Sequence, residues 1–333
     1  MNARRAQLLL VVGLAALAFP SLVFAQYAVR RSDDLVRLED LAHQVVVSIA
    51  PSAGNLTREL TVKGRNVLGP LGIPFLGPWA NRLDQQAFYA NGKRYALNMD
   101  LGNVRGAHPI HGFLSKAEWM VIEAKTDGAS AWVTSRLEFF RQPDWMAQFP
   151  FAHTIEMTHR LRDGVLDVTV ELHNLSAEPM PIAIGFHPYF TLSDAPRDGW
   201  TIALAARTEW ELADDKIPTG VTRPIEWRFP DPRAAPLRDH DLDHVFADLI
   251  RDASGRATMT VWGVSQRIDV GFGPNYHAAV VYAPKGRDFI CFEPMAAITD
   301  ALNLSHRGLY TDLQQVAPGG IWKETFWIHP SGF

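Results

Sequence analysis

Two side chains able to exchange protons stand in apolar surroundings at distant points of the sequence. His187 follows an apolar run and precedes Pro188, and Glu293 stands between Phe292 and Pro294. Apolar surroundings disfavour the ionised carboxylate and raise its pKa toward neutrality, which makes it a base of useful strength. His187 is either a core histidine with a satisfied hydrogen bond or a side chain presented at a cleft. Glu293 is either such a base or the ion-pair partner of an arginine.

A second group of polar residues, Asn81 and Arg82, follows an apolar run that includes Trp79. The guanidinium group is a rigid fork of donors that suits hydroxyl groups or carboxylates. An arginine in such a position equally serves a structural salt bridge. Arg82 is therefore a candidate for ligand binding, with the structural alternative open.

Two histidines three positions apart, His108 and His111, raise the question of a metal site. In a strand, residues i and i+3 point to opposite faces, and the sequence has no further His, Cys or carboxylate at the spacing of metal ligands. We therefore expect no metal, and we interpret His111 as a hydrogen-bonding residue beside Gly112, where a ligand can approach the backbone. Asp243 is a weaker candidate, because residues 239–241 before it are typical of a solvated loop.

The spacing of apolar residues indicates that strands hold these side chains. Apolar and polar residues alternate over residues 154–161 and again over 166–172, and Asp163-Gly164 between them is a strong signal for a tight turn. This pattern predicts a β-hairpin with one buried face. A third strand over residues 180–186 is expected to deliver His187 at its end.

Similar strand-like runs occur along the chain between turn signals, at residues 45–49, 131–139, 257–262, 278–282 and 289–293. No stretch predicts an amphipathic helix longer than two or three turns. Many short strands with frequent turns indicate a sandwich or a barrel. Since the sequence shows no internal repeat, no low-complexity linker and no shift in composition, residues 26–333 are predicted to form a single all-β domain.

The first 25 residues are typical of a secretory signal peptide. Arg4 and Arg5 precede an apolar run over residues 8–24, and Ala25 supplies the small residue that a signal peptidase needs. The run, at about 17 residues, is at the edge of what spans a bilayer. We expect cleavage after Ala25, a periplasmic or secreted location and no stable membrane insertion afterwards. A retained N-terminal anchor is the alternative.

Composition excludes some classes of partner. The formal net charge is −4, and no block of like charges predicts a nucleic-acid surface. Cys291 is the only cysteine, so no intramolecular disulfide can form, and its apolar neighbours predict a buried, inert thiol. Nothing in the sequence indicates an oligomeric state.

Several of these segments occur together in one order along the chain. They are Ala-Asn-Arg-Leu at 80–83, His-Gly at 111–112, Gly-Phe-His-Pro-Tyr-Phe at 185–190, Asp-His-Val-Phe at 243–246, Phe-Glu-Pro at 292–294, Asp-Ala-Leu-Asn at 300–303 and Leu-Gln-Gln-Val-Ala-Pro-Gly at 313–319. In this order they resemble the aldose 1-epimerase (galactose mutarotase-like) family, over about residues 35 to 330.

The resemblance implies a large antiparallel β-supersandwich with its active site in an open cleft. It implies an isomerase that interconverts the α and β anomers of a free sugar without metal or cofactor. His187 would be the general acid and Glu293 the general base, and the Glu293 carboxylate is expected to favour protonated His187. The residues expected to bind the sugar are Asn81, Arg82, His111 and Asp243.

Two alternatives share the same fold. One is a hexose-6-phosphate 1-epimerase, for which Arg105 and Lys116 would supply the cations that a phosphate needs. The other is a carbohydrate-binding or sensing protein without turnover. The chain also departs from better-known family members, which carry His-Gly-Gly where this chain has His-Gly-Phe at 111–113. The identity of the sugar therefore stays open.

Overall fold

Strands make up nearly all the regular structure of the computed structural model, which describes residues 26–333. The first fourteen are β1 (Tyr27–Arg31), β2 (Val36–Asp40), β3 (Val45–Ala50), β4 (Leu56–Val62), β5 (Arg65–Asn66), β6 (Phe75–Leu76), β7 (Ala87–Ala90), β8 (Lys93–Ala96), β9 (Asn103–Arg105), β10 (His108–Ile110), β11 (Met120–Thr126), β12 (Ala131–Glu138), β13 (His153–Arg162) and β14 (Val165–Asn174). The others are β15 (Met180–Ile182), β16 (Gly185–Phe186), β17 (Tyr189–Phe190), β18 (Thr201–Ala203), β19 (Ala206–Leu212), β20 (Pro218–Pro224), β21 (Ala235–Pro236), β22 (Leu242–Leu249), β23 (Ala257–Trp262), β24 (Arg267–Phe272), β25 (Ala278–Ala283), β26 (Ile290–Met295), β27 (Gln314–Val316) and β28 (Ile321–Ser331).

Two large antiparallel sheets dominate the architecture. One has nine strands in the order β11-β12-β13-β14-β28-β24-β23-β18-β21, and the other has eight, in the order β20-β19-β22-β25-β26-β16-β6 with β17 also paired to β26. A five-stranded sheet runs in simple order from β1 to β5. The predicted fold class, all-β and antiparallel, is confirmed.

The hairpin β13–β14 shows why the alternating pattern predicts this fold. Its turn, at Asp163 and Gly164, has positive φ at both residues, as a two-residue hairpin turn requires. Every second side chain of both strands is buried, including Val168 and Val170 at 0% exposure. Each buried Val, Leu, Ile or Met side chain among them stabilises the fold by about 1.5–3 kcal/mol when it leaves water. The hairpin is confirmed as predicted.

The core lies where the two large sheets face each other. Phe186 of the eight-stranded sheet packs against Phe326 of β28, with ring centroids 4.7 Å apart. Phe75 extends this cluster, with its ring centroid 5.2 Å from that of Phe186. The lone Cys291 is fully buried beside this core, and burial raises the pKa of its thiol, which agrees with the inert role expected for it.

The predicted strand over residues 180–186 is in fact two strands. β15 pairs with β27, whereas β16 pairs with β6 and β26 of the eight-stranded sheet. The chain changes its partner strands between Ile182 and Gly185, so the prediction of one continuous strand is wrong. Alternating burial reports which side chains face a core, but it does not report which strand lies alongside.

Helices in residues 26–333 are short. They are α1 (Pro143–Gln148) and α2 (Ala301–His306), together with 3-10 turns at Leu114–Lys116, Phe139–Arg141, Arg197–Gly199, Ile225–Trp227 and Leu237–Asp239. Over this range, no helix combines the length and the apolarity needed to cross a membrane. The predicted signal peptide, residues 1–25, lies outside the described residues.

Candidate active site

The eight-stranded sheet places three polar side chains on one face. Asp243 of β22 lies directly opposite Tyr282 of β25, and Glu293 of β26 lies directly opposite Val280 of β25. Because side chains two positions apart on a strand share a face, Tyr282 and Val280 put Asp243 and Glu293 on the same side of the sheet. His187 joins them from the neighbouring strand, since it directly follows β16.

Two loops bring the remaining predicted residues over this face. The backbone N–H of His111 donates to the carbonyl of Asn81 at 3.0 Å, and the N–H of Asn81 donates to Nδ1 of His111 at 3.1 Å. Both residues adopt positive φ, 58° and 61°. Next to them, Gly112 packs so closely on the loop after β6 that an added Cβ would lie 2.0 Å from the carbonyl oxygen of Gly77. These contacts lock the two loops together.

All six predicted site residues line one cavity of about 280 Å³. Small-molecule sites occupy roughly 300–1,000 Å³, so this cavity suits a ligand at the small end of that range. Its full lining is Asn81, Arg82, Val104, Arg105, Ile110, His111, His187, Tyr189, Asp243, Tyr282 and Glu293.

His187 and Glu293 meet at the buried end of the cavity. Nε2 of His187 lies 3.3 Å from Oε1 of Glu293, and their side chains are 11% and 2% exposed. Nδ1 of His187 and Oε2 of Glu293 make no hydrogen bond to any other group in residues 26–333. Buried polar atoms are nearly always paired, so these two unpaired atoms are exceptions in the described part of the chain and mark the pair as unusual.

Burial sets the protonation of this pair. It raises the pKa of Glu293 well above its ordinary value; the charge of Asp243 adds to the rise and Arg82 opposes it. Burial also lowers the pKa of His187 to about 3, with a smaller contribution from His111. Both shifts favour the uncharged forms of the two side chains over an ion pair in the unliganded site. In that state the acid proton of Glu293 faces Nε2 of His187, and the neutral imidazole carries its own proton on Nδ1. The expectation that the Glu293 carboxylate favours protonated His187 stays a prediction for the site with sugar bound.

His111 presents a donor to the cavity. Burial lowers its pKa to about 4, helped by the positive charges of Arg82 and Arg105, so the ring is neutral near pH 7. Its Nδ1 accepts the N–H of Asn81. The single proton of a neutral imidazole therefore resides on Nε2, which is free to donate.

Arg82 is held in place by a hydrogen bond to Asn81 and by the opposite charge of Asp243. Nη1 donates to Oδ1 of Asn81 at 3.1 Å, and Nη2 lies 3.9 Å from Oδ2 of Asp243. A guanidinium group has five N–H donors, so these contacts leave others for a ligand. The structural salt bridge considered from the sequence thus lies inside the site itself.

Two tyrosines complete the cavity, and the sequence did not single them out. The ring of Tyr189 stacks on His187 at 4.5 Å and an interplanar angle of 5°, and its hydroxyl lies 3.4 Å from Nε2 of His187. The ring of Tyr282 stands edge-on to His187 at 5.9 Å. Tyr189 was visible two residues after His187, whereas Tyr282 is placed by its register opposite Asp243, which no local pattern reveals.

The two cations considered for a phosphate do not act together. Arg105 is exposed and lines the cavity of His187 and Glu293. Lys116 lines a different cavity, of about 230 Å³, with Trp145 and Gln148. A phosphate held by both side chains is therefore not supported.

Known proteins match this chain over most of its length. The family model for aldose 1-epimerase matches residues 41–329. The Escherichia coli (strain K12) protein YphB is 25% identical over 252 residues, which are 73% of this chain and 78% of YphB. Two solved structures share the fold: a galactose mutarotase-like protein from Clostridium acetobutylicum (TM-score 0.80, 18% identity, 92% of this chain and 98% of that one) and galactose 1-epimerase from Lactobacillus acidophilus NCFM (TM-score 0.72, 16% identity, 92% and 98%). With the family model spanning nearly all of the described residues, the chain belongs to the aldose 1-epimerase family.

Proposed function

We propose that this protein interconverts the α and β anomers of a free aldohexose, with Glu293 and His187 as the proton-transferring pair. The observation that carries the proposal is the 3.3 Å approach of Nε2 of His187 to Oε1 of Glu293 at the buried end of a sugar-sized cavity. Family membership supports the same class of enzyme.

Ring opening needs one proton removed and one proton supplied. The Glu293 carboxylate takes the proton of the anomeric hydroxyl, C1=O forms, and the C1–O5 bond breaks as protonated His187 gives its proton to O5. Rotation about C1–C2 presents the other face of the aldehyde, and the reverse transfers close the ring. A well-placed acid or base contributes about 10²–10⁴-fold to such a step.

The acid proton of Glu293 suffices for this cycle. On sugar binding it passes from Glu293 to Nε2 of His187, across the 3.3 Å contact, which leaves a carboxylate and an imidazolium. Ring opening then returns a proton to Glu293 and removes one from His187, so the total number of protons on the two side chains does not change. No proton has to come from solvent during turnover.

The other polar residues bind and orient the sugar. Arg82, Asn81 and Nε2–H of His111 donate to sugar oxygens, and Asp243 accepts from a hydroxyl group. Tyr282 closes the wall beside Asp243.

We also propose that the enzyme acts in the periplasm or outside the cell, because residues 1–25 have the pattern of a secretory signal peptide.

Polarimetry of a freshly dissolved α-hexose tests the activity directly. We expect the protein to accelerate the decay of optical rotation of glucose or galactose in a concentration-dependent manner. Binding of the sugar without faster decay would instead support a carbohydrate-binding protein.

The phosphosugar alternative has one observation in its favour, the exposed guanidinium of Arg105 at the cavity. Parallel assays with glucose and glucose 6-phosphate separate the two enzymes. A much higher kcat/KM for the phosphate ester would replace the free-sugar assignment.

A further inference from the structure

Two buried polar residues, Asp300 and Asn303, stand behind the candidate site without lining its cavity. Each is 1% exposed. They belong to the Asp-Ala-Leu-Asn segment at 300–303, for which the proposed chemistry has no use. Buried polar side chains persist when they satisfy the backbone around them, so their partners indicate their role.

Their partners are the backbone of the segment just after Arg82. Oδ1 of Asp300 accepts from the N–H of Asp84 at 2.9 Å. Nδ2 of Asn303 donates to the carbonyls of Asp84 and Ala87, at 3.1 Å and 3.0 Å, and also to Oδ1 of Asp300 at 2.8 Å. We call this set of side-chain bonds the Asp300–Asn303 clamp.

The backbone adds a direct bond to Arg82. The N–H of Asp300 donates to the carbonyl of Arg82 at 3.0 Å. Asp300 follows shortly after β26, the strand that carries Glu293. The clamp therefore joins the end of the Glu293 strand to the Arg82 loop, across more than 200 residues of sequence.

The other side of the same loop is fixed to the His111 segment. The N–H of Leu83 donates to the carbonyl of Pro109 at 3.0 Å, and Arg82 forms an isolated bridge with Ile110. If the clamp were lost, the loop would keep this attachment and the backbone bond from Asp300 to Arg82, but the segment from Asp84 to Ala87 would lose its side-chain bonds and move more freely. A small shift of this segment moves a guanidinium at the end of its long side chain farther than it moves the backbone, so sugar contacts made by Arg82 are the first to weaken.

We propose that Asp300 and Asn303 are positioning residues that set Arg82 relative to Glu293 and thereby control sugar affinity. The inference rests on the proposed function, in which Arg82 binds the sugar. Because Arg82 contacts the sugar before and during ring opening, its displacement weakens both states alike, which raises KM and leaves kcat nearly unchanged.

Three variants of the whole protein test the clamp. Asp300→Ala removes the acceptor for Asp84. Asp300→Asn keeps an oxygen at that place and tolerates the positive φ of 56° that residue 300 adopts. Asn303→Ala, within α2, removes the donor without any strain from positive φ. The matched control is Asn174→Ala: Asn174 is also buried and its Nδ2 bonds two backbone carbonyls, of Glu178 and Val316, but it lies outside the cavity.

The readouts are kcat and KM for the best hexose, well below the melting temperature, and hydrogen exchange of the backbone at residues 83–87. We expect KM to rise about 10-fold in Asp300→Ala and Asn303→Ala with kcat within about 3-fold, faster exchange in that segment, and near wild-type values in Asp300→Asn. Asn174→Ala should lower the melting temperature without changing KM.

Two results would overturn the clamp: wild-type KM in both alanine variants, or an Asp300→Asn variant as impaired as Asp300→Ala. A wild-type protein that fails to accelerate mutarotation of any hexose would instead remove the proposed function, whatever the variants show. The two failures are therefore distinct.

Discussion

At the scale of single residues, one nitrogen atom has two competing partners. Nε2 of His187 lies 3.3 Å from Oε1 of Glu293 and 3.4 Å from the hydroxyl of Tyr189. A neutral imidazole nitrogen either accepts one hydrogen bond or donates one. When Glu293 turns to a sugar hydroxyl and Nε2 turns to O5, the stacked ring of Tyr189 still supports the imidazole. The imidazole thus keeps its orientation while the carboxyl group changes partner.

Replacing Glu293 by Gln keeps the size of the side chain and removes the base. We expect mutarotation to fall by about 10²–10⁴-fold, with sugar affinity in isothermal titration calorimetry close to that of the wild type. His187→Asn should show the same loss, because the two groups act in one proton circuit. Full mutarotation by either variant would reject their assignment as acid and base.

The pKa shifts of this pair predict an unusual pH profile. A free imidazole titrates near ~6.5, but burial lowers the pKa of His187 to about 3 and raises that of Glu293. The state with a protonated Glu293 and a neutral His187 therefore extends to lower pH than an ordinary histidine and to higher pH than an ordinary carboxyl group would allow. It is lost on the acid side when His187 gains a second proton, and on the alkaline side when Glu293 ionises.

We therefore expect kcat/KM, measured by polarimetry and corrected for spontaneous mutarotation, to show no inflection near ~6.5. Activity should decline toward alkaline pH, as the raised pKa of Glu293 is crossed. A bell-shaped profile with a limb at the ordinary pKa of histidine would contradict the burial argument.

At the scale of elements, alternation in the sequence predicted where individual strands lie better than it predicted which strands pair. β13, β14 and β23 lie where the pattern placed them, because local alternation is enough to bury one face. The strand expected over 180–186 splits between two sheets, and Tyr282 enters the site through register with Asp243. Both depend on pairing between distant segments, which periodicity does not encode.

The packing of two loops at Gly112 gives a prediction at this scale. An alanine there would adopt φ of 57° and place its Cβ 2.0 Å from the carbonyl oxygen of Gly77. We expect Gly112→Ala to destabilise the protein by more than the ~1–2 kcal/mol that left-handed backbone alone costs, and to raise KM because His111 shifts with the loop. Thermal unfolding and kinetics measure the two effects.

Gly92→Ala is the control for that variant. Gly92 also has positive φ, 73°, but an added Cβ would meet no atom within 4 Å. It should show the conformational cost alone, with unchanged KM. Equal destabilisation by both variants would show that the close approach at Gly77 contributes nothing.

At the scale of the whole molecule, the order of short segments predicted which residues meet. Five separate stretches, around residues 81, 111, 187, 243 and 293, converge on one cavity. The resemblance placed them together because a family carries them in that order, whereas composition and periodicity alone did not. The order of segments did not predict which side chains line the rim of the cavity. Arg105 and Lys116 are near neighbours of His111 in sequence, yet they line different cavities.

The folded part of the chain is compatible with export and with cleavage after Ala25. Within residues 26–333, the first strand begins at Tyr27, which is 2% exposed, and the carbonyl of Gln26 accepts from the N–H of Leu41 at 2.8 Å. Cleavage after Ala25 would therefore leave every described element intact. We expect intact-mass analysis of the protein secreted or released from the periplasm to give a chain that begins at Gln26. Ala25→Phe should block processing, because the peptidase requires a small residue there, while an uncleaved wild-type chain in the membrane fraction would support a retained anchor.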